Sequence, residues 1–482
     1  MKNNESSFRH RVLSGFAWLS AGTFVGQLVT WLSTIYVIRL LSPSDYGLMA
    51  MAGSFMALMA MMNDLGFSAA IIQKNVIEDE ELHQIFTVVF LTGLFAFILS
   101  WLVTPIVAWF YGEGRLQPLI RFMSLNFILS ALFMVPQSLL VREMNFRDKA
   151  RVDIISRVIS SVLTLVLAIL SFGVWALAIG EVCSYAVRAV GFNIARAGYL
   201  KPVMGLKGAT RNLKFGLSIT ADRFLYFLFS QSDIVIAGKF LGKDPLGIYA
   251  IALNLASIPS EKVLPLITQV SFTAYSRIQE DIERIKRNLL KTVRAVGFIA
   301  FPLFFGMAAA APEGISLILG PKWESLIVPF QLLCLVIPVK ALSYLLPPAI
   351  FAIGKPMINV VNMAISCVIM GVGFLVGVNF GILGLCMVWI LIFPIVFLIT
   401  TMRSLKGIAL PFKDFAAEIV FPFTAGTSML LSLLMLRASE VMSLSPLSSL
   451  LIYVITGAAI YSILVVAFRA SAFQEFKVML KG

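Results

Sequence analysis

Six cationic side chains, Arg121, Arg157, Arg188, Arg223, Lys262 and Lys340, lie inside stretches that otherwise read as apolar membrane-spanning helices. A charge at mid-bilayer costs roughly 2.5–3.5 kcal/mol even on the lenient insertion scale. Several such charges must therefore face protein or water. What a cation in low dielectric does well is hold an anion, such as a phosphate or carboxylate on a polar solute. The acids Glu181, Asp222, Asp233 and Glu261 lie in the same spans, so two roles are open: a cationic binding cavity, or a network of buried ion pairs. Asp222-Arg223 and Glu261-Lys262 are adjacent in sequence and point about 100° apart on a helix. Each needs a partner on another helix or in a cavity. Arg188, Arg223, Lys262 and Lys340 fall near or somewhat below the midplane at 1.5 Å of rise per residue, whereas Arg121 and Arg157 are within two turns of a span end and can snorkel. Asp64, near the end of the second span, joins the acids as a candidate for coupling or ion pairing.

The elements that hold these residues are helices. The 482 residues are 59% hydrophobic and 13% charged, with a mean hydropathy of +0.92, against about 25% charged residues in soluble domains. Fourteen runs are long enough to span hydrocarbon: Gly15–Ile38, Tyr46–Ala70, Gln84–Trp109, Leu116–Leu140, Ile154–Leu170, Val174–Ile194, Phe215–Ala237, Leu246–Val270, Thr292–Ala311, Leu326–Ala349, Met357–Val378, Ile382–Thr401, Phe415–Leu436 and Leu447–Phe468. The gaps between them are too short for a soluble domain. The net charge of +13 follows topology rather than a nucleic-acid surface. With both termini in the cytoplasm, Lys and Arg concentrate on the cytoplasmic segments, as the positive-inside rule requires. Outside the spans, only Arg39, Arg115, Lys239, Lys243, Lys322 and Arg437 fall on the opposite side. The basic clusters 142–151, 196–214 and 277–294 orient the chain and attract anionic lipid headgroups. The first span runs well past a signal-peptide core and reads as a retained helix. The four cysteines all sit in spans with no CxxC pair, as small packing residues.

The chain also repeats itself. Ala21, Phe24, Leu28, Leu41, Gly47, Ala50 and Ala52 recur 200 residues on as Ala221, Phe224, Leu228, Leu241, Gly247, Ala250 and Ala252. Phe172-Gly173-Val174 and Leu177 recur at an offset of 208 as Phe380-Gly381-Ile382 and Leu385. A six-helix unit is even, so both copies share one orientation, the parallel-repeat arrangement that places substrate between halves. The expected organisation is a six-helix lobe over residues 1–200, a cytoplasmic linker 201–214, a second six-helix lobe 215–403, and two further helices with a cytoplasmic tail over 404–482. The charges break the repeat: Asp222, Arg223, Asp233, Glu261 and Lys262 fall opposite Gly22, Thr23, Ser33, Met61 and Met62. That asymmetry suits an elongated, asymmetric cargo.

An ordered set of short motifs carries a resemblance. Leu41-Ser42-Pro43-Ser44-Asp45-Tyr46-Gly47 is followed by Asp64-Leu65-Gly66-Phe67 and Ala70-Ile71-Ile72-Gln73. Then come Phe215-Gly216, Asp233-Ile234-Val235-Ile236-Ala237-Gly238, Leu246-Gly247-Ile248-Tyr249-Ala250, Ser276-Arg277-Ile278-Gln279-Glu280-Asp281 and Gly320-Pro321-Lys322-Trp323. Together they resemble the Wzx-type polysaccharide and O-antigen flippases of the polysaccharide transport family, within the MOP exporter superfamily, and most of all the colanic-acid-exporter-like branch. The resemblance implies an all-α, V-shaped transporter of two lobes that alternates its opening. It implies a polyprenyl (undecaprenyl) diphosphate-linked oligosaccharide as cargo, for exopolysaccharide, capsule or lipopolysaccharide synthesis at the bacterial inner membrane, with a polymerase and export machinery as possible partners. Physically, Pro43 and Gly47 fit a tight turn opening a helix, with Ser44 or Asp45 as its N-cap. A cationic interior of Arg157, Arg188, Arg223, Lys262 and Lys340 would neutralise the diphosphate while the tail stays in lipid.

The residues point to no enzyme, no cofactor and no metal. The two histidines, His10 and His83, are far apart in sequence, and no HExxH, P-loop or Ser/His/Asp set is present. Two alternatives stay open. A drug/cation antiporter of the same superfamily would favour an acidic cavity, which the six cations oppose. A membrane-embedded glycan polymerase would need a large, charged periplasmic loop, and the longest candidate, 312–325, is short. Glu280 to Arg284 and Glu283 to Arg287 read as i,i+4 pairs on a solvated connector.

Overall fold

The computed structural model describes residues 26–27, 29–63, 71–72, 77–196, 203, 210–439 and 445–479, with side chains apart from 62–63, 210–223 and 469–479. Asp64 and most of the linker 201–214 lie outside the described residues, as do the side chains of Asp222 and Arg223. Among the described residues there is no strand. With no water in hydrocarbon to satisfy backbone groups, a helix that closes its own hydrogen bonds is the available solution. Among the described residues eleven stretches are long and apolar enough to cross a membrane. The expected runs Met357–Val378 and Ile382–Thr401 fall in one such stretch, Pro356–Gly407, and the end of the first expected span is a shorter apolar helix, α1 (Val29–Leu40). The protein is a multi-pass helical membrane protein.

The chain divides into two compact units, 1–227 and 228–482. In the first unit α1 leads into α2 (Pro43–Asn63), α3 (Asp79–Tyr111), α4 (Leu116–Met123), α5 (Leu125–Arg142), α6 (Phe146–Ile169) and α7 (Val174–Ala195). The helix α8 (Thr210–Leu241) crosses the division. The second unit continues with α9 (Lys243–Arg277), α10 (Ile282–Ala309), α11 (Ala311–Ile318), α12 (Ile327–Ser343), α13 (Leu346–Ala352), α14 (Pro356–Gly377), α15 (Gly381–Met387), α16 (Phe393–Gly407), α17 (Phe412–Ala438) and α18 (Pro446–Met479).

Local chemistry sets the helix starts. The cap of α2 is Ser42, not Ser44 or Asp45. The Ser42 hydroxyl accepts from the Asp45 N–H (3.3 Å), and the Asp45 carboxylate accepts from the Ser42 N–H (2.9 Å) and hydroxyl (2.5 Å). This reciprocal box uses the residue three places on, and Pro43 tolerates the first helical position because that N–H has no partner anyway. Asp281 caps α10 by accepting from the Arg284 N–H at 2.9 Å. Glu280 therefore precedes the helix and forms no ion pair with Arg284 among the described residues, while Glu283 meets Lys286 rather than Arg287, at 2.7 Å.

The repeat has a backbone counterpart. Gly173, before α7, has φ 57° and ψ −134°, and Gly381, opening α15, has φ 69° and ψ −155°. This region belongs essentially to glycine, and the two turns sit at the positions the 208-residue echo relates. Within the first unit, the Asp45 carboxylate lies 3.1 Å from where a Cβ on Gly173 would sit, so the capped start of α2 packs against the turn into α7.

Candidate functional site

In the second unit four helical segments converge on a buried polar chain. Asp233 of α8 is 1% exposed. Its Oδ1 accepts from the Ile234 N–H at 2.8 Å, and its Oδ2 from the Tyr249 hydroxyl of α9 at 2.7 Å. The Tyr249 oxygen in turn accepts from the Trp389 indole N–H at 2.8 Å. Lys340 of α12 places its ammonium 4.5 Å from the centre of the Trp389 ring, at the indole from which the chain of donors starts. The donors thus run in one direction, indole to phenol to carboxylate, with a cation over the indole. Such an arrangement holds a charge in low dielectric by surrounding it with aligned donors.

The backbone explains how Trp389 reaches this point. It sits in a π-helical turn, Val388–Ile392, directly before Pro394 near the start of α16. Proline lacks an N–H and crowds the carbonyl four residues back, here that of Ile390, so the chain widens locally instead of continuing as a regular α-helix. Phe229, Phe374 and Phe393 pack around the indole with ring centres 6.2, 5.5 and 5.4 Å away. Gly377 and Gly384 allow the close approach of α14 to α15. A Cβ on Gly384 would fall 2.0 Å from the Gly377 carbonyl oxygen.

In the first unit the charged side chains gather on α6 and α7. Arg188 reaches Asp153 at 3.3 Å and its Nε donates to the Ser156 hydroxyl at 3.4 Å. Asp153 also holds Lys149 at 2.8 Å. Glu181 accepts from the Asn126 side-chain amide at 3.1 Å. Arg121 does not simply reach for water: its guanidinium lies over the Trp101 ring at 5.2 Å. Arg157 is exposed on α6, and Glu261 and Lys262 are exposed on α9 between Pro259 and Pro265. None of these three has an ion-pair partner among the described residues.

Of the residues singled out from sequence, the structure brings Asp233 and Lys340 together, pairs Arg188 with a residue not singled out, Asp153, and leaves Arg157, Glu261 and Lys262 apart on their helices. Tyr249, Trp389, Asn126, Asp153 and Ser156 were missed as site residues. A tyrosine or tryptophan deep in an apolar run carries a polar atom that needs a partner, which was the available signal for the first two. Two further pairs tie α17 within the second unit. Arg294 of α10 grips Glu418 with Nε at 2.6 Å and Nη2 at 2.8 Å, and Arg437 bonds Glu313 of α11. The two contacts lie 19 residues apart on both partners, so α10 and α17 run parallel, with Gly426 packed on Phe301 and Phe305. Among the described residues no cluster of His, Cys, Asp and Glu could hold a metal ion.

Long apolar helices and buried charges met by aligned donors define a multi-pass helical membrane protein with polar groups held in its interior. The fold agrees. It is similar to the lipid II flippase MurJ in an inward closed conformation, with TM-score 0.76, 14% identity, and coverage of 95% of this chain and 100% of that one. It is also similar to an inward-facing multidrug resistance MATE family transporter of the MOP superfamily, with TM-score 0.57, 16% identity, and coverage of 84% and 95%. The signature of the polysaccharide biosynthesis protein family matches residues 36–328, and the chain belongs to that family. Curated relatives include the lipopolysaccharide biosynthesis protein WzxC of Escherichia coli (strain K12), 27% identical over 336 residues and 68% of each chain. Another is the succinoglycan biosynthesis transport protein ExoT of Rhizobium meliloti (strain 1021), 28% identical over 310 residues, 64% of this chain and 62% of that one.

Proposed function

We propose that this chain flips a polyprenyl-diphosphate-linked oligosaccharide from the cytoplasmic to the outer leaflet of the bacterial inner membrane, for surface polysaccharide synthesis. The observation that carries this is the family signature over residues 36–328 on a flippase-like fold that covers 95% of the chain. The cations supply the chemistry. A diphosphate must find positive partners in low dielectric, and Arg157 and Lys262, exposed and unpaired among the described residues, are the foremost candidates to meet it. Arg188, Arg223 and Lys340 complete the proposed set. The glycan crosses between two six-helix lobes that open alternately, the polyprenyl tail remains in lipid, and both termini stay in the cytoplasm. Polymerase and export proteins are the partners expected downstream.

Removal of the protein should make a lipid-linked oligosaccharide accumulate on the cytoplasmic leaflet, and its return should restore surface glycan. Accumulation on the outer leaflet instead would place the protein at polymerisation or export and sink the flippase reading. Topology has its own check: in intact cells a cysteine at Ser44 should label from outside and one at Lys207 should not.

A further inference from the structure

Along α7, Glu181, Tyr185 and Arg188 stand four and three residues apart, which places them on one stripe of the helix. Arg188 has its counter-charge in Asp153. Glu181 has none among the described residues. Its partner is neutral: the Asn126 amide nitrogen donates to Oε1 at 3.1 Å. Asn126 is 3% exposed, and its other polar atom, Oδ1, is buried with no donor among the described residues. A buried acceptor left without a donor costs roughly 1–3 kcal/mol. An ionised carboxylate offers acceptors alone, whereas a protonated one offers an O–H. Protonated Glu181 can therefore supply what Asn126 lacks. The amide N–H donates to one carboxyl oxygen, the carboxyl O–H donates to the amide oxygen, and acid and amide close a two-bond ring.

The surroundings leave the proton as the available compensation. The elements packed against α7 are α6, α5, α4 and α2, and α1 joins them through the cluster of Val37, Leu41, Ala168 and Ala176, its one charged group, Arg39, being exposed. On α6, Lys149 and Asp153 are engaged with each other and with Arg188, Arg157 is exposed, and Ser160 donates to the Gly180 carbonyl at 2.7 Å. On α5 the group facing Glu181 is Asn126 itself, with Arg142 at the helix's far end. On α4, Arg121 is stacked over Trp101, and on α2, Asp45 is bound to Ser42 near the Gly173 turn. On α7, Tyr185 and Arg188 stand one and two turns away.

We propose that Glu181, with Asn126 as its amide partner, is a proton-binding site in the first unit, and that its protonation is linked to the transport cycle. The linkage clause rests on the flippase reading; the proton site does not. The step is a simple association: the Glu181 carboxylate takes one proton from water, becomes the neutral acid and donates to Asn126 Oδ1. Loss of that proton returns the charge to a site with one neutral donor. The ionised form therefore favours an arrangement of α5 and α7 that admits water to both groups, so proton binding shifts the population of states.

The test is an infrared titration of the full chain in lipid vesicles, with no cargo present. The wild-type protein should show the C=O stretch of a protonated carboxyl near neutral pH. That band should convert to carboxylate as pH rises, be absent from Glu181→Gln, and be displaced in Asn126→Leu, where Glu181 is intact but its partner is gone. A band unchanged in both variants overturns the site. The linked claim is read separately, as surface-glycan output per unit of membrane protein against external pH. Glutamine can make both bonds to Asn126, so Glu181→Gln should reach normal abundance with output reduced at least tenfold and flat in pH. Wild-type output and pH profile from Glu181→Gln overturns the linkage, whatever the infrared result. Failure of the flippase reading would leave the infrared outcome intact and so be distinguishable.

Discussion

Replacing Lys340 by Gln should unfold the second unit more readily on the hypothesis that Lys340, stacked over the Trp389 ring, is the counter-charge of Asp233, a carboxylate only 1% exposed. Breaking a buried ion pair from one side costs about 3–5 kcal/mol, since an uncompensated charge remains. Asp233 keeps the Tyr249 hydroxyl at 2.7 Å and the Ile234 N–H at 2.8 Å, which holds the loss near the lower end, about 3 kcal/mol. Loss of the cation–π contact with Trp389 at 4.5 Å adds about 0.5–2 kcal/mol. For a unit of this size each kcal/mol shifts the melting midpoint by about 2–4 °C, so a loss of about 3.5–5 kcal/mol should make K340Q melt about 7–20 °C below wild type. Asp233→Asn removes the charge that needed compensation, so the double variant D233N/K340Q should recover to within about 2 kcal/mol of wild type, the remainder being the lost cation–π contact. The assay is thermal unfolding of purified protein in detergent, alongside membrane abundance. A K340Q protein that melts with wild type, or a double variant no better than K340Q, would refute the pairing. The effect of K340Q on glycan output at normal abundance would then become the informative number.

The other cations should separate in the same way. Lys262→Gln and Arg157→Gln remove exposed charges with no ion-pair partner among the described residues, so stability should stay within about 0.5 kcal/mol of wild type; unchanged surface-glycan output from both would remove them from the cargo path. Arg188→Gln leaves Asp153 still paired with Lys149, so the stability loss should be about 1 kcal/mol or less; a several-fold larger fall in membrane abundance would mean that Arg188 is structural. Gly384→Ala puts a methyl 2.0 Å from the Gly377 carbonyl oxygen and should cost about 1–3 kcal/mol by overpacking; a melting midpoint equal to wild type would show that α14 and α15 can move apart freely.

The sequence by itself determined that this is a polytopic helical membrane protein, because hydropathy and span length are local properties and the bilayer accepts few other solutions. It also marked several helix starts: Pro43 at the start of α2, Gly173 before α7 and Gly381 at the start of α15, although choosing Ser42 over its neighbours as the cap of α2 needed the hydrogen-bond geometry. The buried charges were legible as residues but not as partners. Asp233 finds Tyr249 sixteen residues on, and Tyr249 finds Trp389 a further 140 away. Arg294 meets Glu418 across 124 residues. Periodicity fixes which side chains share a helix face, but not the rotation of that helix against its neighbours, and a rotation of one residue (about 100°) exchanges every contact. The same limit hid the orphaned oxygen of Asn126: an asparagine in an apolar run is visible in the sequence, whereas the missing donor beside Glu181 exists only once α5 and α7 are packed together.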